Sequence, residues 1–221
     1  WWSHKCSAKS GRRKNPLLRE SDMSQDTKSL TSKAELRRQQ ILDAAAECFR
    51  KSGFHGASMS EIAKSFGMSA GHIYNYFESK EAIIEAMVKR DLDQALERIA
   101  KIQGEKDILK AMLGTVDEGV QRRIDRSELD TEILAEAARN PKVAATVQGT
   151  DTVIREKVTQ LIKGIQPLKN STPCELNLAA KSTILMALFD GLQIRAIRDP
   201  NMKADDIARV LKSVIQQMLQ S

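Results

Sequence analysis

Between Lys28 and Glu81 the chain gathers the side chains with the clearest chemical use. Lys28, Lys33, Arg37 and Arg38 stand against Glu35 alone in the stretch entering the first periodic segment. Basic arms of this kind bind phosphates or enter a minor groove; a solvated helix start is the other reading of the same charges. Further on, Gly67-Met68-Ser69 separates two short helical patterns. A tight turn between crossed helices uses a glycine where the chain needs a positive φ. Ala63 would let the two helices approach, and Ile62, Phe66, Met68 and Ile73 would bury their inner faces. The second helix would then offer its N-terminal residues to a major groove, which is wide enough to admit an α-helix. A helix-loop-helix pattern by itself is also common in proteins that never meet DNA.

No catalytic constellation competes with this unit. HExxH, P-loop and nucleophile-elbow motifs are absent from the sequence, and His4, His55 and His72 are not at metal-ligand spacing. No enzyme activity, cofactor or metal is therefore expected. Cys6, Cys48 and Cys174 are odd in number and widely spaced. That favours a reducing, cytoplasmic setting over a disulfide framework or a zinc site. No run of about 18 apolar residues exists, and the N-terminus lacks the apolar stretch of a secretory signal. No membrane partner is expected.

The net charge of +6 is mostly a property of the N-terminal end: residues 1–22 carry six Lys/Arg against two Asp/Glu. These residues show no apolar periodicity, hold the only two tryptophans, and precede Met23, which reads like a natural start. They are expected to be an upstream extension foreign to the fold.

The elements that must position the site read as helices throughout. Residues 35–52 place Leu42, Ala45, Ala46 and Phe49 on one face, ending at Gly53. Ser58 and Glu61 form a capping box for a short helix ending at Gly67. Ser69 caps a third helix running to about Phe77, and Ser79 a fourth carrying Ile83, Ile84, Met87, Val88 and Leu92 inward. Longer patterns follow at 106–125, 128–139, 142–166, 175–198 and 204–219, with breakers at Asn140-Pro141, Pro167–Pro173 and Asp199-Pro200-Asn201. The predicted fold is all-α: an N-terminal three-helix helix-turn-helix domain, a connecting helix and a C-terminal helical bundle. The expected divisions are a flexible basic tail over 1–34, a DNA-binding domain over 35–81, and a ligand-binding and dimerisation domain over 82–221 that opens with the connecting helix, 82–103.

The stretch Gly53-Phe54, Ser58, Glu61-Ile62-Ala63, Gly67, Ser69, Gly71, Ile73-Tyr74, Tyr76-Phe77 and Ser79-Lys80-Glu81 closely resembles the DNA-binding domain of the TetR family. The resemblance spans about residues 35–85 and implies roles position by position. Ser58 would cap the second helix and touch phosphate. Ser69, Ala70, Gly71 and His72 would enter the groove. Tyr74 and Tyr76 would send hydroxyls to phosphates, and Lys80 would neutralise one. With Lys33, Arg37 and Arg38 these are the candidate DNA contacts. Phosphate contacts set register, whereas only groups at base edges specify sequence; His72 is the best base-reading candidate, with a solvated surface histidine as the alternative. Tyr74 as a half-buried core aromatic, Lys80 as a capped surface lysine and Gly71 as a packing glycine are the plainer readings.

In the C-terminal half, Glu132–Pro141 and Ala187–Arg195 resemble the family's sixth and eighth helices. The resemblance implies a four-helix dimer interface from the last two long helices. Small residues Ala180, Ala187 and Gly191 share one helix face, and Ile207, Leu211, Val214 and Met218 stripe the final helix, widened by Val210 and Ile215. Such a face suggests a partner helix. An effector pocket is implied between the connecting helix and the bundle, with Met87, Met112, Leu134, Met186, Phe189 and Gln193 as candidate lining. Glu132 and Glu136, four apart, would receive a cationic ligand or simply stay solvated. The expected function is a ligand-responsive repressor, binding a near-palindromic double-stranded operator as a homodimer and released by an unidentified small molecule. An activator, or an all-α interaction adaptor without DNA binding, are the alternatives.

Overall fold

Apolar residues at spacings of three and four dominate the chain, and among the described residues they produce helices and no strand. The structure, a computed structural model, describes the backbone of residues 18–165 and 175–220 and the side chains of 33–165 and 177–220. The helices are α1 (Leu18–Gly56), α2 (Met59–Ser65), α3 (Ala70–Ile73), α4 (Lys80–Gln103), α5 (Ile108–Gly114), α6 (Val116–Asp125), α7 (Ser127–Ala137), α8 (Pro141–Lys163), α9 (Glu175–Arg198) and α10 (Ala204–Gln220). No described helix is long and apolar enough to cross a membrane.

Residues 1–40 and 41–221 form two units. In the first, α1 is helical from Leu18, so residues 18–34, expected as a tail, are helical. The expected upstream extension lies outside the described residues, apart from the backbone of 18–22. Everything that follows concerns the second unit unless stated.

Two apolar clusters organise that unit. The first unites Ile41, Leu42, Ala45 and Phe49 of α1 with Ile62 and Ala63 of α2, Ile73 of α3, Phe77, and Ile83, Ile84, Met87 and Val88 of α4. It continues into Leu129 and Ile133 of α7 and Val143 of α8. Burial of each large side chain contributes roughly 1.5–3 kcal/mol, so the helix-turn-helix is fastened to the base of the bundle. The second cluster joins Ile102, Met112, Val116, Val120, Leu161 and Ile162 to Leu178 and Leu185 of α9 and to Ala208, Leu211, Ile215 and Leu219 of α10.

Local structure departs from the sequence reading in two places. Helix α3 ends at Ile73, before a turn through Tyr76, because Asn75 and Tyr76 N–H groups bond three residues back, to His72 and Ile73 carbonyls. The expected helix over 106–125 is two, α5 and α6. At the break, the Thr115 hydroxyl and N–H both go to the Met112 carbonyl, 2.9 and 3.2 Å away; a threonine that back-bonds in this way competes with the helix ladder.

The turns at the helix-turn-helix are closed by backbone chemistry. Gly67 has φ +72. The Met68 N–H bonds the Ala63 carbonyl at 2.9 Å and the Gly67 N–H that of Lys64 at 3.0 Å, the paired bonds that close a helix on a left-handed residue. Gly53, at φ +71, kinks α1. One helical turn follows, with the Ala57 N–H on the Gly53 carbonyl at 3.1 Å. The Lys80 ammonium holds the far end of this turn, donating to the Phe54 carbonyl at 2.6 Å and the Ala57 carbonyl at 2.7 Å, 4.6 Å from the Phe54 ring centroid.

Two stability changes follow. Gly67→Ala places a Cβ in open space but keeps the left-handed φ, and should cost about 1 kcal/mol in urea unfolding, with Gly67→Asn costing less. Lys80→Ala should cost about 2 kcal/mol in the same measurement, because two carbonyls lose a charged donor.

Candidate nucleic-acid interface

Helix α3 is short and turns its apolar residue inward: Ile73 is fully buried, whereas Ser69, Ala70, Gly71 and His72 are all exposed. Its start is fixed by Ser69, whose hydroxyl oxygen accepts the His72 N–H at 3.3 Å. A Cβ on Gly71 would meet nothing within 4 Å, so packing does not require a glycine there. The His72 ring stacks on Tyr76, centroids 5.8 Å apart and planes within 7°. Tyr76 itself leans on the first cluster, so the imidazole is carried on an anchored ring. Tyr74 is 55% exposed and is not a core aromatic.

The supporting residues are already engaged. The Ser58 hydroxyl accepts the Glu61 N–H at 3.1 Å and donates to the Glu61 carboxylate at 2.9 Å, and the Ser58 N–H completes the capping box at 2.8 Å. These bonds, led by the Ser58 N–H, hold the Glu61 carboxyl below its usual range. Lys80 spends two of three N–H donors on Phe54 and Ala57 carbonyls, leaving one. In the first unit, Lys33 and Arg37 are exposed and Arg38 is half-buried on α1.

Glu132 and Glu136 are neither solvated nor aimed at an empty pocket. The Glu132 carboxylate accepts the Phe54 N–H at 2.9 Å, and a Cβ on Gly53 would lie 3.4 Å from it. Glu136, its side chain 5% exposed, sits 3.1 Å from His55 Nε2 and accepts from the Asn140 amide at 3.0 Å. Their spacing was legible; their partners, 78 and 81 residues away in sequence for Phe54–Glu132 and His55–Glu136, were not.

The candidate effector residues are dispersed over the bundle. Met87 belongs to the first cluster and Met112 to the second. Leu134 is 49% exposed, because α7 turns Leu129, Ile133 and Glu136 inward and leaves residue 134 on the far side. Met186 is half-buried on α9. Phe189 lies against Gly119, where a Cβ would be 3.0 Å from its ring. Gln193 is buried at 3% exposure. A groove of about 490 Å³ between α4 and α8, lined by Ala82, Ala86, Leu92, Ala145, Gly149 and Val153 among others, contains none of the six.

Along α4, charged residues separate the parts that enter the two clusters. Asp91 pairs with Arg126, which also pairs with Asp130; Arg123 links Asp130 to Asp190. Burial pushes the Asp91 and Asp190 carboxyls up, against the pull of Arg126 and Arg123. Burial and neighbouring Arg122 push Arg98 down.

On α9 and α10 the interface candidates divide. Ala180, Ala187, Gly191 and Val214 are exposed, together with Ile184, Ile194 and Val210, of which only Val210 was singled out in sequence. Leu211 is buried in the chain's own core, and Ile207 and Met218 are packed against it. The stripe on α10 is wide enough that its 208–211–215–219 face serves the monomer and its Val210–Val214 edge does not.

Residues 41–87 match the model of bacterial regulatory proteins of the tetR family, and residues 105–220 that of the C-terminal part of BetI-type transcriptional repressors. The HTH-type transcriptional regulator UidR of Escherichia coli K12 is 33% identical over 181 residues, covering 82% of this chain and 89% of its own. Salmonella enterica GusR superposes with a TM-score of 0.69 at 27% identity, over 83% of this chain and 95% of that chain. FadR of Bacillus subtilis, in complex with stearoyl-CoA, shares the fold with a TM-score of 0.64 at 19% identity, over 83% of this chain and 97% of that chain. An all-α chain whose exposed α3 start follows a glycine turn, and which matches at both its helix-turn-helix and its bundle, belongs to the TetR family of DNA-binding transcriptional regulators.

Proposed function

We propose that this chain is a ligand-responsive repressor that binds a near-palindromic operator as a cytoplasmic homodimer. The observation that carries the reading is the α3 start: Ser69, Ala70, Gly71 and His72 face solvent while Ile73 anchors the helix from behind. His72, braced on Tyr76, reads a base edge. Tyr74, Tyr76, Ser58, the remaining Lys80 donor and the basic residues Lys33, Arg37 and Arg38 bind phosphates and set register.

Repression is supported by the repressor model matched over residues 105–220. The dimer is supported by the exposed apolar face of Ile184, Ala187, Gly191 and Ile194 on α9 with Val210 and Val214 on α10. A two-fold dimer presents two copies of α3 about one DNA turn, or a multiple, apart, which selects a near-palindromic site.

The effector is a small molecule held in the bundle; the Bacillus subtilis FadR neighbour was solved in complex with one, stearoyl-CoA. Support within this chain is Gln193 of α9, buried at 3% exposure, since a polar side chain taken out of water needs a hydrogen-bond partner and a ligand can supply one. The effector acts by population shift: it favours the spacing of α3 copies that does not fit the operator, by a few kcal/mol, through α4.

Titration against DNA flanking the chain's own gene at two salt concentrations, with a scrambled duplex as control, tests the reading. Tight binding to the flanking DNA that weakens steeply with salt is expected; equal, weak binding to both duplexes contradicts it. His72→Ala should change the sequence preference in a binding selection rather than weaken all duplexes alike. Ala187→Glu should convert the dimer to monomer in sedimentation velocity and abolish operator binding.

A further inference from the structure

We propose that Glu132 and Glu136 of α7 are positioning residues for the helix-turn-helix, gripping the turn at 53–57 so that the state of the bundle reaches α3 by a route separate from α4. This rests on the DNA-binding reading above. The positive φ at Gly53 breaks the helix ladder of α1, so the Phe54 N–H needs an acceptor from outside its own helix. Glu132 supplies it at 2.9 Å. One turn along α7, the buried Glu136 lies 3.1 Å from His55 Nε2 and is steadied by the Asn140 amide.

The turn is therefore held at its N-terminal end by the hydrogen bond to Glu132, with the Glu136 carboxylate beside His55, and at its C-terminal end by the Lys80 ammonium at the start of α4. Charge of each sign sits where the dipole of a helical turn favours it. Ser58, the next residue, caps α2, and α2 leads through the Gly67 turn into α3. A displacement of α7 relative to α4 cannot leave this turn unchanged, and what it moves first is the cap of α2. Because coupling between two sites is reciprocal, DNA bound at α3 must in turn alter α7.

Hydrogen exchange measured on the full chain, with and without a duplex that the protein has itself selected from a random-sequence library, tests this without knowledge of the effector. In the wild type, the duplex should slow exchange in α3 and also change it in α7. In Glu132→Ala/His55→Ala the α3 protection should remain, while the α7 response falls by at least about half. Glu132→Gln, whose amide oxygen still accepts from Phe54, should keep the response. A merely structural role would lower the melting temperature of the double variant without changing how DNA reaches α7. If the double variant does not fold, His55→Ala alone, a change at a ring 70% exposed, should lose a smaller part of the response, and a full response there overturns the proposal. An undiminished α7 response in the double variant, or none in a wild type that does select a duplex, overturns this proposal alone. A wild type that selects no duplex overturns the DNA-binding reading and the proposal with it.

Discussion

A helix that stops must hand its unpaired backbone groups to something else, and the placement of α3 in this chain depends on where α1 stops. Gly53 ends its main run at a positive φ, and the turn that follows has an N–H and two carbonyls bonded to side chains from distant helices. Glu132, Lys80 and the apolar cluster beneath them fix the direction in which the chain leaves α1. The Ser58 cap and the Gly67 turn then fix everything up to Ile73. The exposed start of α3 follows from this sequence of locally satisfied ends, the last of them the Ser69 cap of α3 itself.

Lys80 has a structural place that leaves room for the proposed phosphate contact. It is half-buried, donates to two carbonyls and lies near the Phe54 ring. An ammonium held in this way is pre-placed, since its stem no longer has to be ordered when a phosphate arrives. The same economy would apply to the proposed base contact of His72, whose ring is already stacked on Tyr76. Residues that looked like alternatives, a fold role against a binding role, are compatible in this geometry.

The bundle is built on a different principle. Its helices cross two apolar clusters with Asp91, Arg126, Asp130, Arg123 and Asp190 paired across the helices that join them. Close-packed apolar side chains fix how the helices interdigitate, and the partly exposed charged pairs add contacts between particular positions of neighbouring helices. The connecting helix passes from one cluster to the other and meets these pairs at Asp91.

Much of the N-terminal domain was legible in the sequence, because its signals are local. Ser58 with Glu61, Ser69 and Ser79 are caps whose partners lie three residues away, and Gly67 marks a conformation that other residues adopt at a cost. Helical periodicity likewise determined which faces of α1, α2 and α4 are buried. The tertiary structure decided the rest, because it depends on residues far apart in the chain. It paired Glu132 with Phe54 and Glu136 with His55, turned Leu134 outward, put Met87 and Met112 in different clusters, and drew Leu211 into the monomer core while leaving Val210 and Val214 at the surface. A one-dimensional pattern tells which residues share a helix face; only the packing of helices tells what that face meets.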